Sequence, residues 1–107
     1  MSNLIWVEES PQTMAVGEAI AWIWEFKDVG TADPTVAGTT LAYDQTGVDV
    51  SATVLAGAAV LATSQITGKK FTPASAQRYV LVQPATVDGN TVWLACKFEC
   101  FEPKVGL

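Results

Sequence analysis

Chemistry at neutral pH needs a group that takes up and releases a proton there, and this chain of 107 residues contains no histidine. Histidine is the side chain whose ordinary pKa lies in that range, and it is also the commonest metal ligand. Its absence excludes serine triads and most zinc sites. Ser51 therefore has no base, because nothing in the sequence brings Lys69 or Lys70 to it. The aspartates Asp28, Asp33, Asp44, Asp49 and Asp88 are scattered through turn-rich sequence and strand edges. They lack the alternation of a calcium loop, nothing pairs two of them as facing carboxylates, and they read as solvated turn residues. A glycine-rich phosphate loop is also missing. Cys96 and Cys100 are four apart in a stretch that reads as extended, which separates their α-carbons by about 13 Å. A disulfide needs less than about 7 Å, so both read as small core hydrophobes on one face with Phe98. The sequence thus predicts no enzyme, no cofactor and no metal.

What remains is contact chemistry. The chain carries four tryptophans. Trp22 and Trp24 alternate with smaller residues on an apolar strand face and read as core. Trp93 shares its face with Lys97 and Glu99 and is expected to point outward. It is a candidate anchor for another subunit or for a sugar ring, with partial burial under a loop as the competing reading. Trp6 lies on a first strand expected at a sheet edge, where unblunted backbone invites another chain.

The elements that must position these residues follow from period-two patterning. Half the residues are apolar and 16% charged, with a mean hydropathy of +0.27, which suits a packed core rather than disorder. Leu4 to Val7 reads as an edge strand ended by Glu8 to Pro11. In Glu18 to Phe26, the residues Ile20, Trp22, Trp24 and Phe26 point one way. Ala19, Ala21, Ile23 and Glu25 opposite them are only partly polar, which predicts a central strand covered on much of both faces. Lys27 to Pro34 is a loop by composition. Thr35 to Tyr43 and Val48 to Leu55 read as strands, Ala56 to Ala59 as a small, flexible connection and Val60 to Thr67 as a weaker strand. Ser51 to Thr63 is rich enough in alanine and leucine to suggest a helix. Gly57, several β-branched residues and the lack of a polar face argue against one. Arg78 to Val87 and Thr91 to Phe101 form a hairpin around Asp88-Gly89-Asn90. Val92, Leu94, Cys96, Phe98 and Cys100 face the core there, and Pro84 predicts an edge contact or a bulge.

These signals predict one all-β domain over residues 1–107, an antiparallel sandwich of about seven strands. The net charge of −5 and a pI near 4.4 argue against nucleic acid and anionic membranes as partners. No apolar run approaches the roughly 20 residues of a membrane span, and the first residues do not read as a signal peptide.

Phe71-Thr72-Pro73-Ala74-Ser75-Ala76-Gln77-Arg78-Tyr79 resembles a tyrosine corner, a turn whose Tyr bonds the backbone a few residues upstream. Ala74 to Ala76 stand where the usual glycine would be, and a plain core Tyr79 is the alternative. That corner, the string Val48 to Gly57 (VDVSATVLAG) before it, the last hairpin with its Asp88-Gly89 turn, and Glu18 to Phe26 together resemble small immunoglobulin-like phage proteins found among virion-assembly proteins. The resemblance spans roughly Gly17 to Phe101. It implies an immunoglobulin-like sandwich and a non-catalytic virion subunit on capsid, neck or tail, made in the host cytoplasm. Its partners would be capsid or tail proteins and further copies of itself. A sugar-binding or cell-surface-binding module is the alternative.

Overall fold

Alternating apolar residues form strands along most of this chain. The computed structural model describes residues 4–7, 9–27 and 29–103; Glu8, Asp28 and the two termini lie outside them. Ten strand segments and one helical turn follow in order: β1 (Leu4–Trp6), β2 (Gln12–Ala15), β3 (Ile20–Glu25), β4 (Val36–Ala37), β5 (Leu41–Tyr43), α1 (Ser51–Val54), β6 (Leu55–Ala56), β7 (Val60–Ala62), β8 (Gln65–Phe71), β9 (Arg78–Val87) and β10 (Asn90–Phe101). In the first sheet β9 and β10 lie at the centre. β1 and β2 follow one another along the outer edge of β10, and β4 and β5 along that of β9. In the second sheet β8 pairs with β3 on one side and with β6 and β7 on the other. The segments thus occupy four strand positions in one sheet and three in the other.

The last hairpin sets the frame. Asp88 (φ 51°) and Gly89 (φ 78°) both adopt left-handed backbone, the conformation that a two-residue turn between twisted strands requires. The turn fixes every pair from Val87 opposite Asn90 to Arg78 opposite Glu99. Asp88 also accepts from the backbone N–H and hydroxyl of Thr31, at 2.8 and 3.0 Å, which latches the loop after β3 onto the hairpin tip.

The two sheets stack over a shared aromatic core. Phe98 of β10 lies 5.1 Å from the Trp22 ring of β3 and 5.3 Å from Phe71 of β8, and Phe71 lies 5.4 Å from Tyr79 of β9. Tilted and edge-on contacts at these distances suit the ring quadrupoles. Tyr79 is buried, and its hydroxyl accepts from the backbone N–H groups of Ala74 and Ser75, each at 3.3 Å. Cys96 and Cys100 are buried and unbridged.

Several expectations are corrected. The first sheet is mixed rather than antiparallel, because β1 and β2 both run parallel to β10. The turn after β2 carries the chain into the second sheet instead of back along β10, so no hairpin inverts its direction. β3 is an edge strand with β8 as its neighbour, not a central one. Trp24 within it and Phe26 just after it are buried, with Ile20 and Trp22 packed against the core. The opposite side is open, and Ile23 is 61% exposed.

Val48 to Leu55 is not one strand: Ser51–Val54 form α1, and only Leu55 is extended, as the first residue of β6. Asp49 accepts from the Ser51 N–H (2.9 Å) and hydroxyl (2.6 Å), and Ser51 Oγ accepts from Ala42 N (2.9 Å). Local side-chain bonds of this kind displace ladder bonding, and α1 follows as one helical turn. Val60 to Thr67 is likewise two strands, β7 and the start of β8, separated by a turn at Thr63 (φ 55°).

Thr35 to Tyr43 is broken into β4 and β5 beside Pro84. Gly38 N donates to Pro84 O at 2.9 Å, but Pro84 has no N–H to return the bond. The buried Gln83 side chain supplies it, its Nε2 donating to the carbonyls of Gly38 and Pro84 at 2.9 Å each. Gln83 Oε1 accepts from Thr40, whose oxygen accepts from Lys69 N at 3.0 Å in the opposite sheet. The expected irregularity at Pro84 is therefore a gap in the neighbouring edge, filled by an amide side chain. Gly38 has no alternative there, since a Cβ would meet Pro84 Cγ at 2.7 Å.

Candidate contact face

The strand registers assemble a surface on the outer side of the first sheet. Leu4 pairs with Trp93, and Trp93 with Pro84. One row along, Trp6, Ala95, Val82 and Leu41 cross the sheet side by side. The next row runs from Lys97 through Val80 to Tyr43. Glu99 and Arg78 close the series with an ion pair of 3.0 Å. Side chains at these positions all leave the same face of the pleat, opposite the core residues Leu81, Gln83, Leu94, Cys96 and Phe98.

This outer face is apolar and concave, forming an open groove of about 1070 Å³. Trp6 is 48% and Leu4 41% exposed, while Trp93, Tyr43, Leu41 and Val80 are half-buried. Ala95 and Val82 are buried despite lying on the outside, because larger neighbours wall them in. Lys97 Nζ lies 5.2 Å from the centre of the Trp6 ring, a cation–π contact at the groove's margin. Both sequence-level contact candidates, Trp6 and Trp93, thus lie on one surface. Trp22, Trp24, Tyr79 and Phe98 lie in or against the core, and Gly89 lies in the hairpin turn.

The charges at the margin cancel. Arg78, Glu99 and Asp44 line the groove and Lys97 stands at its margin over Trp6, two charges of each sign, so the other nine acidic and four basic residues carry the chain's whole net charge of −5. Asp44 is engaged by its own turn: its carboxylate accepts from the Thr46 hydroxyl at 2.6 Å and from the N–H groups of Thr46 and Val48. These bonds, that of the Thr46 hydroxyl foremost, hold its pKa below the usual carboxylate value.

The sequence reading missed Leu41, Tyr43, Val80 and Val82 as members of this face. A signal was available for two of them. The hairpin turn places Val80 and Val82 opposite Lys97 and Ala95, next to the outward Trp93. Tyr43 and Leu41 arrive only through the long-range pairing of β5 with β9, which no local pattern encodes.

Among the described residues no group of three or more Cys, Asp or Glu converges on a metal-sized position, and no helix is long and apolar enough to cross a membrane. Burial raises the pKa of both thiols, that of Cys100 to about 11, which keeps them protonated and poorly nucleophilic near neutrality. Compared with protein-family models, with curated proteins and with solved structures, the chain matches none.

Proposed function

We propose that the chain is a non-catalytic, immunoglobulin-like subunit of a phage particle that holds neighbouring proteins through the outer face of its first sheet. The observation that carries this reading is the face itself: two tryptophans, a tyrosine and aliphatic residues on a sheet face with no layer over it among the described residues, with balanced charge at the margin. Contiguous apolar surface of this kind marks interaction sites, and aromatic residues supply much of the contact energy at interfaces. The local neutrality lets copies of an acidic chain approach one another, or approach a shell protein, without like-charge repulsion.

Strand order supports the immunoglobulin-like part of the reading. β3, β8 and β6/β7 stand in the order B-E-D, and β4/β5, β9 and β10 in the order C-F-G. The first strand departs from that plan by joining the C-F-G sheet. The Tyr79 hydroxyl bonds to Ala74 and Ser75 match a tyrosine corner at the start of strand F. Capsid or tail proteins and further copies of the chain are the partners this reading assigns. A stable contact would bury roughly 1,200 to 2,000 Å² in total. Mass spectrometry of purified particles tests the assignment: the chain is expected as a stoichiometric component, and its absence from virions while abundant in infected cells would overturn it.

A second reading rests on the polar end of the groove, where Gln45, Gln77, Arg78 and Glu99 stand near the aromatic rows. Aromatic rings flanked by planar polar groups also suit a sugar. A glycan array with wild type and Trp93→Ala separates the two, since a folded wild type that binds no glycan removes this alternative.

A further inference from the structure

The outer edge of β10 is covered in two pieces. β1 lies beside Trp93 to Ala95 and β2 beside Phe98 to Phe101, both parallel to β10. Five residues separate Trp6 from Gln12, while their partners Ala95 and Phe98 are separated by two. The crossover therefore holds three residues more than an uninterrupted strand needs. At the gap the Lys97 N–H donates to the Ser10 hydroxyl at 3.0 Å, and Ser10 N donates to Val7 O at 3.1 Å. These bonds pin the crossover to β10 at Ser10 and leave β1 on a short tether.

β1 docks shallowly but in a defined register. All three of its residues are exposed, Leu4 at 41%, Ile5 at 42% and Trp6 at 48%, although Leu4 and Trp6 help to wall the outer groove. Fully extended, the six Cα steps from Trp6 to Gln12 reach about 20 Å, against the about 10 Å that they span in place. That slack exceeds a sideways move of one strand spacing, about 4.8 Å. Without β1, the backbone of Trp93 to Ala95 would lie open on that side and the buried Ala95 would lose its neighbour Trp6. The register and the Lys97 ammonium over the Trp6 ring together fit one occupant, the sequence Leu-Ile-Trp, and a second copy of the chain carries it.

We propose that two copies of the chain exchange β1, each strand docking parallel to β10 of the other copy. The pairs of the closed form are remade between chains, Leu4 opposite Trp93 and Trp6 opposite Ala95 and beneath Lys97. Exchange of an identical element costs little beyond reordering the crossover, because the same contacts stabilise both states. A two-fold axis along the strands keeps β1 parallel to both β10 strands. Each copy then completes the outer contact face of the other with its own Leu4 and Trp6. The tether holds β1 against its own β10 at an effective concentration of about a millimolar, so exchange sets in near that concentration or where copies are held side by side. It concerns the edge of β10 and not what covers the outer face, so either assignment survives failure of the other.

The test mixes two variants of the full chain, Leu4→Cys and Trp93→Cys, at about a millimolar under oxidising conditions. In closed copies the two new thiols sit on separate molecules, and exchange of β1 places them directly opposite one another, within disulfide reach. The expected result is a disulfide between positions 4 and 93 that forms at least about tenfold faster than one between Ala58→Cys and Trp93→Cys, which reports random collision from an exposed position. Deleting Glu8, Glu9 and Ser10 from the Leu4→Cys chain removes the slack and joins β1 to β2 in register, and should lower the rate to that of the collision pair. The unaltered chain guards against an exchange created by the substitutions. In an equal mixture of isotope-labelled and unlabelled wild type at the same concentration, filtered NOEs are expected between Leu4 of one chain and Trp93 of the other. Equal rates for the two cysteine pairs, an undiminished rate in the shortened chain, or no NOE between chains from Leu4 to Trp93 would overturn the proposal.

Discussion

The two faces of the first sheet are made from the same strands and nearly the same residue types, yet among the described residues only one of them has a layer packed against it. Inward, β9 and β10 present Tyr79, Leu81, Leu94, Cys96 and Phe98, all buried against the second sheet. Outward, the same strands present Val80, Val82, Pro84, Trp93 and Ala95, joined by Trp6, Leu41 and Tyr43, with no layer over them among the described residues. Hydrophobicity alone does not tell these faces apart. What does is pairing across sheets: the inner face packs against the second sheet, and the outer face, on the reading proposed above, takes its partner from outside the chain.

That contrast can be broken most severely at Phe98. Its ring contacts Trp22 and Phe71 across the sandwich, so Phe98→Ala should cost about 3 to 5 kcal/mol in denaturant unfolding; a loss below about 1 would mean that the inner face is not the core. Gln83 is the polar exception on that face. Gln83→Leu removes the amide bonded to Gly38, Pro84 and Thr40 and strands the Gly38 carbonyl and the Thr40 hydroxyl, and should cost about 2 to 3 kcal/mol, with a wild-type midpoint arguing against the network. Gly89→Val attacks the turn that sets the register of both faces. A β-branched residue at φ 78° should lower stability by about 1 to 2 kcal/mol, read as a drop in melting temperature.

Acid should loosen the turns more gently. Asp44, Asp49 and Asp88 are held below their ordinary value of 3.8, chiefly by the hydroxyls of Thr46 and Ser51 and the backbone N–H of Thr31 respectively. A depressed folded pKa gives stability that is fully present above the unfolded value and is lost as pH falls through the folded one. The melting temperature should therefore hold above about pH 5 and decline below about pH 4; a decline beginning near neutrality would contradict this. The smallest effect belongs to the outer face. Trp6→Ser should cost only about 1 kcal/mol, because the ring is already half exposed and gives up part of its packing over Ala95 and its contact with Lys97. Chemical denaturation with an unchanged m-value would check it.

Legibility in the sequence follows the same divide. The β9–β10 hairpin could be read because a two-residue turn and strict alternation specify each other, and its register then separates Trp93 from Phe98. The edge position of β3 was not legible: alternation shows which residues share a face but not how many neighbours a strand has, and Ala21 and Ile23 look as apolar as a covered face. α1 escaped because Asp49 and Ser51 redirect the backbone through side-chain bonds that do not disturb the period-two pattern around them. The halves of the contact face supplied by β1 and β5 depend on pairings far apart in sequence, and only the assembled sheet brings Trp6 and Tyr43 to the same groove as Trp93.

The claim that the outer face is built to be covered is tested most directly by site-specific photo-crosslinking in purified particles. A photoreactive side chain replaces either Trp93 or Ala58, an exposed residue remote from the face. The account predicts a crosslink from position 93 to a defined virion protein or to a second copy, and none from position 58. Equal crosslinking from both positions, or a product from position 58 alone, would contradict it.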